Sequence, residues 1–177
     1  AKWRLGAAGQ VLCRGRDRSD EAASRELLRS CAERVEGVLV SSVAAPAAER
    51  ALAELLRGRW GVEAWFARTP ARTGELVNSY AEPQRMGVDR WLAMLGARQR
   101  FGGRLCVIDA GSALTIDLVA ASGEHEGGYI IPGPALMERA LLLDTDRVRF
   151  EDHVDYRLVP GTSTAEAVRH GIALAQA

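Results

Sequence analysis

The stretch 105–133, LCVIDAGSALTIDLVAASGEHEGGYIIPG, constrains what this chain can fold into more than any other. An apolar run from Leu105 to Ile108 ends in Asp109 and passes at once into the small-residue turn Ala110-Gly111-Ser112-Ala113. Leu114 to Ala120 carries a second strand pattern, Ser122-Gly123 makes a turn, and a Gly-rich third strand closes at Pro132-Gly133. An acid at a strand tip, followed by Gly and a hydroxyl, gathers backbone N–H groups, an O–H and a carboxylate in one place. Those are the parts needed to hold a nucleotide phosphate and its cation. The same residues also serve an ordinary β-hairpin, and the stretch alone leaves both readings open.

The 177 residues suffice for one compact domain or two small ones. Hydrophobic residues make up 47% and charged residues 26%, the balance of a soluble globular protein. Lys+Arg and Asp+Glu stand at 23 each, so no overall field favours nucleic acid or an anionic membrane, and neither is expected as a partner. No apolar run approaches the roughly 20 residues of a membrane span, and no signal-peptide layout opens the chain. Cys13, Cys31 and Cys106 are odd in number, far apart and without metal-ligand spacing, as expected for thiols of a reducing compartment. A cytoplasmic location follows. Lys2 is the lone lysine, and every other base is arginine. Arginine replaces lysine on a solvated surface but not where a compact point charge is required, so Lys2 is either functional or a leftover at a chain end.

Taken in order, Ala1 to Leu5 reads as the end of a strand, Gly6 to Gly9 as a turn and Gln10 to Arg14 as a returning strand. Ser19 is an N-cap, and Ala23, Leu27, Leu28, Cys31 and Val35 predict an amphipathic helix over 20–34. Val38 to Val43 reads as a buried strand. Pro46 opens a helix with Leu52, Leu55 and Leu56 inward, ending near Gly58 to Gly61, and Val62 to Phe66 is a further strand. Residues 68–86 show no clear period, and a loop of that length inside a compact domain is usually functional. Gly87 to Phe101 predicts a helix with Val88, Trp91, Leu92 and Leu95 as its buried stripe. Pro134 to Leu143 predicts another, with Leu136, Met137, Ala140 and Leu141 inward. Residues 144–160 read as a loop with a strand fragment, and Ser163-Thr164-Ala165-Glu166 as a capping box opening a last helix.

Asn78-Ser79-Tyr80 followed by Met86-Gly87-Val88-Asp89-Arg90-Trp91 forms a second cluster of chemical interest. Asp89 and Arg90 are adjacent at a helix start, where an acid gains from the dipole and the free N–H groups. Adjacent helical residues do not face each other, so no Asp89–Arg90 salt bridge is expected. Two polar groups aimed in different directions suit a base and a substrate clamp. A first-turn stabiliser beside a solvated arginine is the competing reading.

The topology is an approximate repeat: strands, helix, strand, helix, strand, helix, then three strands and a helix. This α/β pattern resembles the duplicated actin-like (ribonuclease H-like) βββαβα architecture of the actin/hexokinase/acetate-kinase superfamily, with ATP in the cleft between halves. It implies an N-terminal half over 1–102 and a C-terminal half over 103–177. Asn78-x-Tyr80, Gly87-Val88-Asp89-Arg90-Trp91-Leu92-Ala93, Asp109-x-Gly111-Ser112-Ala113-x-Thr115-x-Asp117, Gly127-Gly128-x-Ile130-x-Pro132-Gly133, Leu136-Met137 and Ser163-Thr164-Ala165-Glu166-Ala167 together resemble type III pantothenate kinase, which includes the Bvg accessory factor proteins. The match runs in order from Lys2 to the end.

The resemblance implies roles residue by residue. Asp89 matches the general base, Gly87, Val88, Asp89 and Arg90 the pantothenate-binding segment, and Tyr80 a second pantothenate contact. Asp109 matches the ligand of a monovalent cation (K+ or NH4+). Ser112 stands where the family usually has an ATP-contacting Thr, and Thr164 matches a substrate-binding Thr. Lys2 matches the end of the first phosphate motif, Asp-x-Gly-Asn-Thr/Ser-x-x-Lys. ATP with Mg2+, pantothenate and a homodimer are the implied cofactors and partners, and the reaction is the first step of coenzyme A synthesis. The rest of the first phosphate motif does not precede Lys2, and the chain stops inside a helix, so both ends are expected to be truncated. Two alternatives stand beside this reading: a kinase of the same fold acting on another small alcohol, and a non-catalytic regulatory protein of the Bvg accessory factor kind.

Overall fold

The computed structural model describes residues 2–7, 9–16, 34–151 and 153–177. Ser19 and residues 20–33 of the helix expected over 20–34 lie outside them, as do the side chains of Lys2 and Cys13. The fold is mixed α/β, and internal contacts divide it into two units, Ala1–Ala67 and Arg68–Ala177.

In the first unit, β1 (Lys2–Ala7) and β2 (Gln10–Arg16) pair antiparallel around Gly9, with a register shift between Leu5 and Gly6. β3 (Val38–Val40), helix α1 (Pro46–Trp60) and β4 (Ala64–Phe66) follow, and β3 and β4 pair in parallel across that helix. Pro46 occupies the first helical turn, where its missing N–H has no intrahelical partner to lose. Gly61 ends α1 in the left-handed conformation and returns its N–H to the carbonyl of Arg57. The strand expected to continue to Val43 stops at Val40, because Ser42 Oγ accepts from the N–H of Ala44 and turns the chain. Nor is it a fully buried strand, since Leu39 is 81% exposed.

In the second unit, residues 68–86 are more ordered than their lack of period suggested. β5 (Arg72–Thr73) and β6 (Leu76–Val77) form a small hairpin, and Pro83–Arg85 makes a single 3-10 turn. Strands of two residues are too short for alternation to show. Helix α2 (Val88–Arg98) follows, then β7 (Leu105–Ala110), β8 (Ala113–Val119) and β9 (His125–Pro132), an antiparallel meander in that order. Helix α3 (Pro134–Asp144) and helix α4 (Thr164–Gln176) complete the unit. The strand fragment expected after Asp144 does not form among the described residues of 145–163.

Leu76, Met86, Trp91, Met94 and Val119 make the core, with Leu105, Val107 and Leu95 packed against it. α2 thus lies on one face of the meander. Fully burying side chains of this size stabilises the unit by roughly 1.5–3 kcal/mol each. The expected α2 stripe needs one correction: Leu92 is 38% exposed, and Met94 is fully buried in its place. One residue past Trp91, Leu92 is turned about 100° round the helix, away from the sheet.

The α3 face read as inward lines an open apolar groove of about 900 Å³ shared with α4. Arg169 of α4 meets Glu138 of α3 with two hydrogen bonds of 3.0 Å, and Tyr156 donates a third to the same carboxylate. Ser163 caps α4 by accepting from the N–H of Glu166. The box closes differently from expectation. The Glu166 carboxylate accepts from the N–H and hydroxyl of Thr162, not from the N–H of Ser163, and these donors hold it below the usual carboxylate range.

Candidate active site

The N-terminus of α2 collects four of the residues singled out from sequence. Gly87 is its N-cap, and Val88, Asp89 and Arg90 form its first turn. Val88 is buried toward the core and anchors the turn, which leaves Asp89 exposed. One Asp89 oxygen, Oδ1, accepts from the backbone N–H of Arg90 at 2.8 Å. The other accepts no hydrogen bond from the described residues, so it is open to a proton donor from solvent or substrate.

Arg90 behaves differently from a solvated arginine. Its side chain is 5% exposed. Nε and Nη2 grip Asp117 of β8 at 3.0 and 2.5 Å, a bidentate pair, while Nη1 donates to the Tyr80 hydroxyl at 3.0 Å. The hydrogen bonds it donates to the Asp117 carboxylate hold the guanidinium pKa above its ordinary range, so Arg90 is a fixed positive charge. Its carbon Cζ lies 5.9 Å from the centre of the Tyr80 ring.

Asp117 has a second partner. His125 Nε2 lies 3.0 Å from Asp117 Oδ1, and its Nδ1 lies 2.8 Å from Ser79 Oγ. A carboxylate paired with a guanidinium accepts only, which assigns the imidazole proton to Nε2. With the proton on Nε2, Nδ1 is placed to accept from the Ser79 hydroxyl. The chain of groups Ser79–His125–Asp117–Arg90–Tyr80 joins the 78–80 loop, β8, β9 and α2. Asn78 fixes the loop itself, with Oδ1 accepting from the N–H of Tyr80 and Nδ2 donating to the carbonyl of Pro83 at 3.3 Å.

Glycine at 128 is what lets this network fit. Gly128 stands opposite Asp117 in the β8–β9 register. A Cβ there would run into Asp117 Oδ1, would lie 2.5 Å from the carbonyl oxygen of Ile116 and would lie 2.8 Å from Arg90 Nη2.

Asp109 and Ser112 sit at the β7–β8 turn, both exposed. Asp109 pairs in register with Thr115, one inward position from Asp117 toward that turn. Along α2, Arg90 reaches Asp117 and Arg98 reaches the carbonyls of Gly103 and Ala121. α2 therefore runs with its N-terminus toward the same end of the sheet as the turn that carries Asp109 and Ser112. The turn is held from behind, where Gly133 donates its N–H to the carbonyl of Ser112 at 3.0 Å. Thr164 is the first residue of α4, on the wall of the α3–α4 groove. Among the described residues, the hydrogen-bonded network brings Tyr80 and Arg90 together and does not include Asp109, Ser112 or Thr164.

A family model described as type III pantothenate kinase matches residues 2–177. A type III pantothenate kinase from Hahella chejuensis is 37% identical over 174 residues, covering 97% of this chain and 70% of that protein. One from Marinobacter nauticus is 40% identical over 172 residues, covering 97% and 71%. The chain belongs to the type III pantothenate kinase family. A solved chain described as a Baf family transcriptional activator from Campylobacter jejuni is 22% identical, with a TM-score of 0.47 over 84% of this chain and 62% of that one.

Within this kinase family member, sequence reasoning missed Ser79, Asp117 and His125 as a connected set. A signal for Asp117 was present. It is the one charge in the strand 113–119, and period 2 puts it on the face shared with Thr115 and Val119, toward the core. The pairing of Ser79 with His125, 46 residues apart, has no local signal.

Proposed function

We propose that this chain phosphorylates pantothenate at the expense of ATP, giving 4'-phosphopantothenate, the first step of coenzyme A biosynthesis. The observation that carries the reading is the exposed Asp89 carboxylate at the α2 N-terminus, with one oxygen free, beside an Arg90–Tyr80 pair locked by hydrogen bonds. Phosphoryl transfer requires positioning and charge neutralisation more than covalent chemistry by the protein. The primary hydroxyl of pantothenate is the nucleophile. Asp89 takes its proton as the oxygen attacks the γ-phosphate in line, a contribution on the order of 10²–10⁴-fold.

Gly87, Val88 and Arg90 line the pantothenate segment in this reading, with Tyr80 as a second contact and Thr164 as a further one. Two N–H bonds of Arg90 remain beyond its pairs with Asp117 and Tyr80, enough for a carboxylate of the substrate. Ser112 offers its hydroxyl, and Lys2 its charge, to ATP. Asp109 is an exposed carboxylate at a strand tip, a hard oxygen donor that fits a monovalent cation such as potassium. Such a cation, together with nucleotide-bound Mg2+, supplies neutralisation of phosphate charge when bound. Among the described residues no group of three or more His, Cys, Asp or Glu is placed to hold a metal, so the cation would rely on backbone oxygens beside Asp109.

The family's homodimer, the duplicated actin-like halves 1–102 and 103–177 with ATP between them, and a cytoplasmic setting belong to the same proposal. The division at 102 is one of topology, separate from the division by compactness at Ala67. No helix among the described residues is long and apolar enough to cross a membrane. ADP release measured with pantothenate and with a panel of other small alcohols tests the reading. Turnover with pantothenate well above the panel is expected. Turnover with another alcohol and none with pantothenate would overturn the substrate assignment.

A further inference from the structure

We infer that Asp117 and His125 are positioning residues for the acceptor substrate: a buried strut that sets the direction of Arg90 and, through it, of Tyr80. The inference rests on the reading of Arg90 and Tyr80 as substrate contacts.

Neither strut residue reaches solvent. The side chains of Asp117 and His125 are 2% and 0% exposed and lie behind Arg90 and Tyr80 in the hydrogen-bonded chain. Burying an acid, an imidazole and a guanidinium together is costly unless each is satisfied, and apolar residues of similar volume are often at least as stabilising. Here every charged group is satisfied by geometry that also fixes direction. Two-point attachment of Nε and Nη2 to Asp117 leaves the planar guanidinium no rotation about its own axis. Nη1 is thereby aimed at the Tyr80 hydroxyl. His125 performs the same service one step back: its Nε2–H holds Asp117 Oδ1, and Ser79 holds the ring from the far side. Because Ser79 adjoins Tyr80 in the chain, the strut starts and ends on the same loop. It closes a ring through loop, β9, β8 and α2.

The consequence is a specific division of kinetic effects. Loosening the strut misdirects the acceptor contacts and leaves the nucleotide contacts at the β7–β8 turn in place. A residue that merely held the fold together would weaken both substrates alike.

The experiment compares the wild-type full chain with Asp117→Asn, His125→Gln and His125→Leu. It measures steady-state kinetics for pantothenate and for ATP, with far-UV circular dichroism as a check on folding. Asp117→Asn is expected to raise the pantothenate KM at least tenfold while the ATP KM stays within twofold. His125→Gln keeps an N–H at the position of Nε2 and is expected to stay near wild type in both. His125→Leu is expected to behave like Asp117→Asn. A folded Asp117→Asn variant with an unchanged pantothenate KM overturns the inference and leaves the kinase reading standing. If Asp117→Asn does not fold, the pair at 125 decides: equal pantothenate KM for Gln and Leu overturns it. A wild-type chain that turns over no pantothenate refutes the functional reading, and the inference falls with it.

Discussion

Asp117 holds Arg90 with both carboxylate oxygens, at 3.0 and 2.5 Å, deep between helix α2 and the β7–β8–β9 sheet. The pair fixes the helix whose first turn presents Asp89. In the proposed reading it also makes the site's stability and its chemistry depend on the same few buried atoms.

Removing one partner of this pair strands the other charge in the core. Arg90→Met is expected to lower unfolding free energy by about 3–5 kcal/mol, and the double replacement with Asp117→Leu to recover most of it. Urea denaturation of the two variants checks this. A loss below about 1 kcal/mol in the single variant would mean the pair is solvated, as exposed pairs are.

Gly128→Ala tests the same site from the opposite strand. Its Cβ would contact Asp117 Oδ1, with the Ile116 carbonyl oxygen at 2.5 Å and Arg90 Nη2 at 2.8 Å. The backbone atom cannot yield as a flexible side chain can, so a destabilisation of about 1–3 kcal/mol is expected. Thermal unfolding at neutral pH reads it, and a variant as stable as wild type would show that the sheet is open at this point.

Glu138 and Arg169 tie α3 to α4, and the guanidinium holds the Glu138 carboxyl below its ordinary value of 4.5. A carboxyl with a depressed folded-state pKa contributes stability above its unfolded value, and that contribution is lost as pH falls through the folded value. Glu138→Gln is therefore expected to cost about 1.5–3 kcal/mol at pH 7, the range of hydrogen bonds to charged groups. The gap from wild type should close as the pH is lowered below 4.5. Parallel Tm curves with a constant gap across that range would remove the ion pair from the account.

How much of this was legible in the sequence depends on the range over which each signal acts. The meander at 105–133 was readable because turns at Gly111-Ser112 and Ser122-Gly123 punctuate runs long enough to count. Helix starts at Pro46 and Ser163 were readable because caps act within four residues. Leu92 was placed in the stripe and Met94 left out of it because a period of 3.6 fixes a stripe's centre less well than its existence, and the sheet chose the centre. β5 and β6 were too short to carry a pattern. At the site, Asp89 was marked by its place at a helix start. For Arg90 a substrate clamp and a solvated side chain both stood open, because its partner lies 27 residues away on a strand not yet known to face it. His125 was invisible for the same reason: its role exists only once β9 pairs with β8 beside the 78–80 loop.

The central claim is that Asp89 is the base. Turnover of pantothenate and binding of ATP, measured in parallel on Asp89→Asn, address it most directly. Asp89 is exposed, and an Asn at this position keeps an oxygen to accept from the N–H of Arg90, so the variant should fold as wild type does. The expected result is a fall in kcat on the order of 10²–10⁴-fold, with ATP affinity almost unchanged. Near-normal kcat in the folded variant would contradict it and remove Asp89 from the base role.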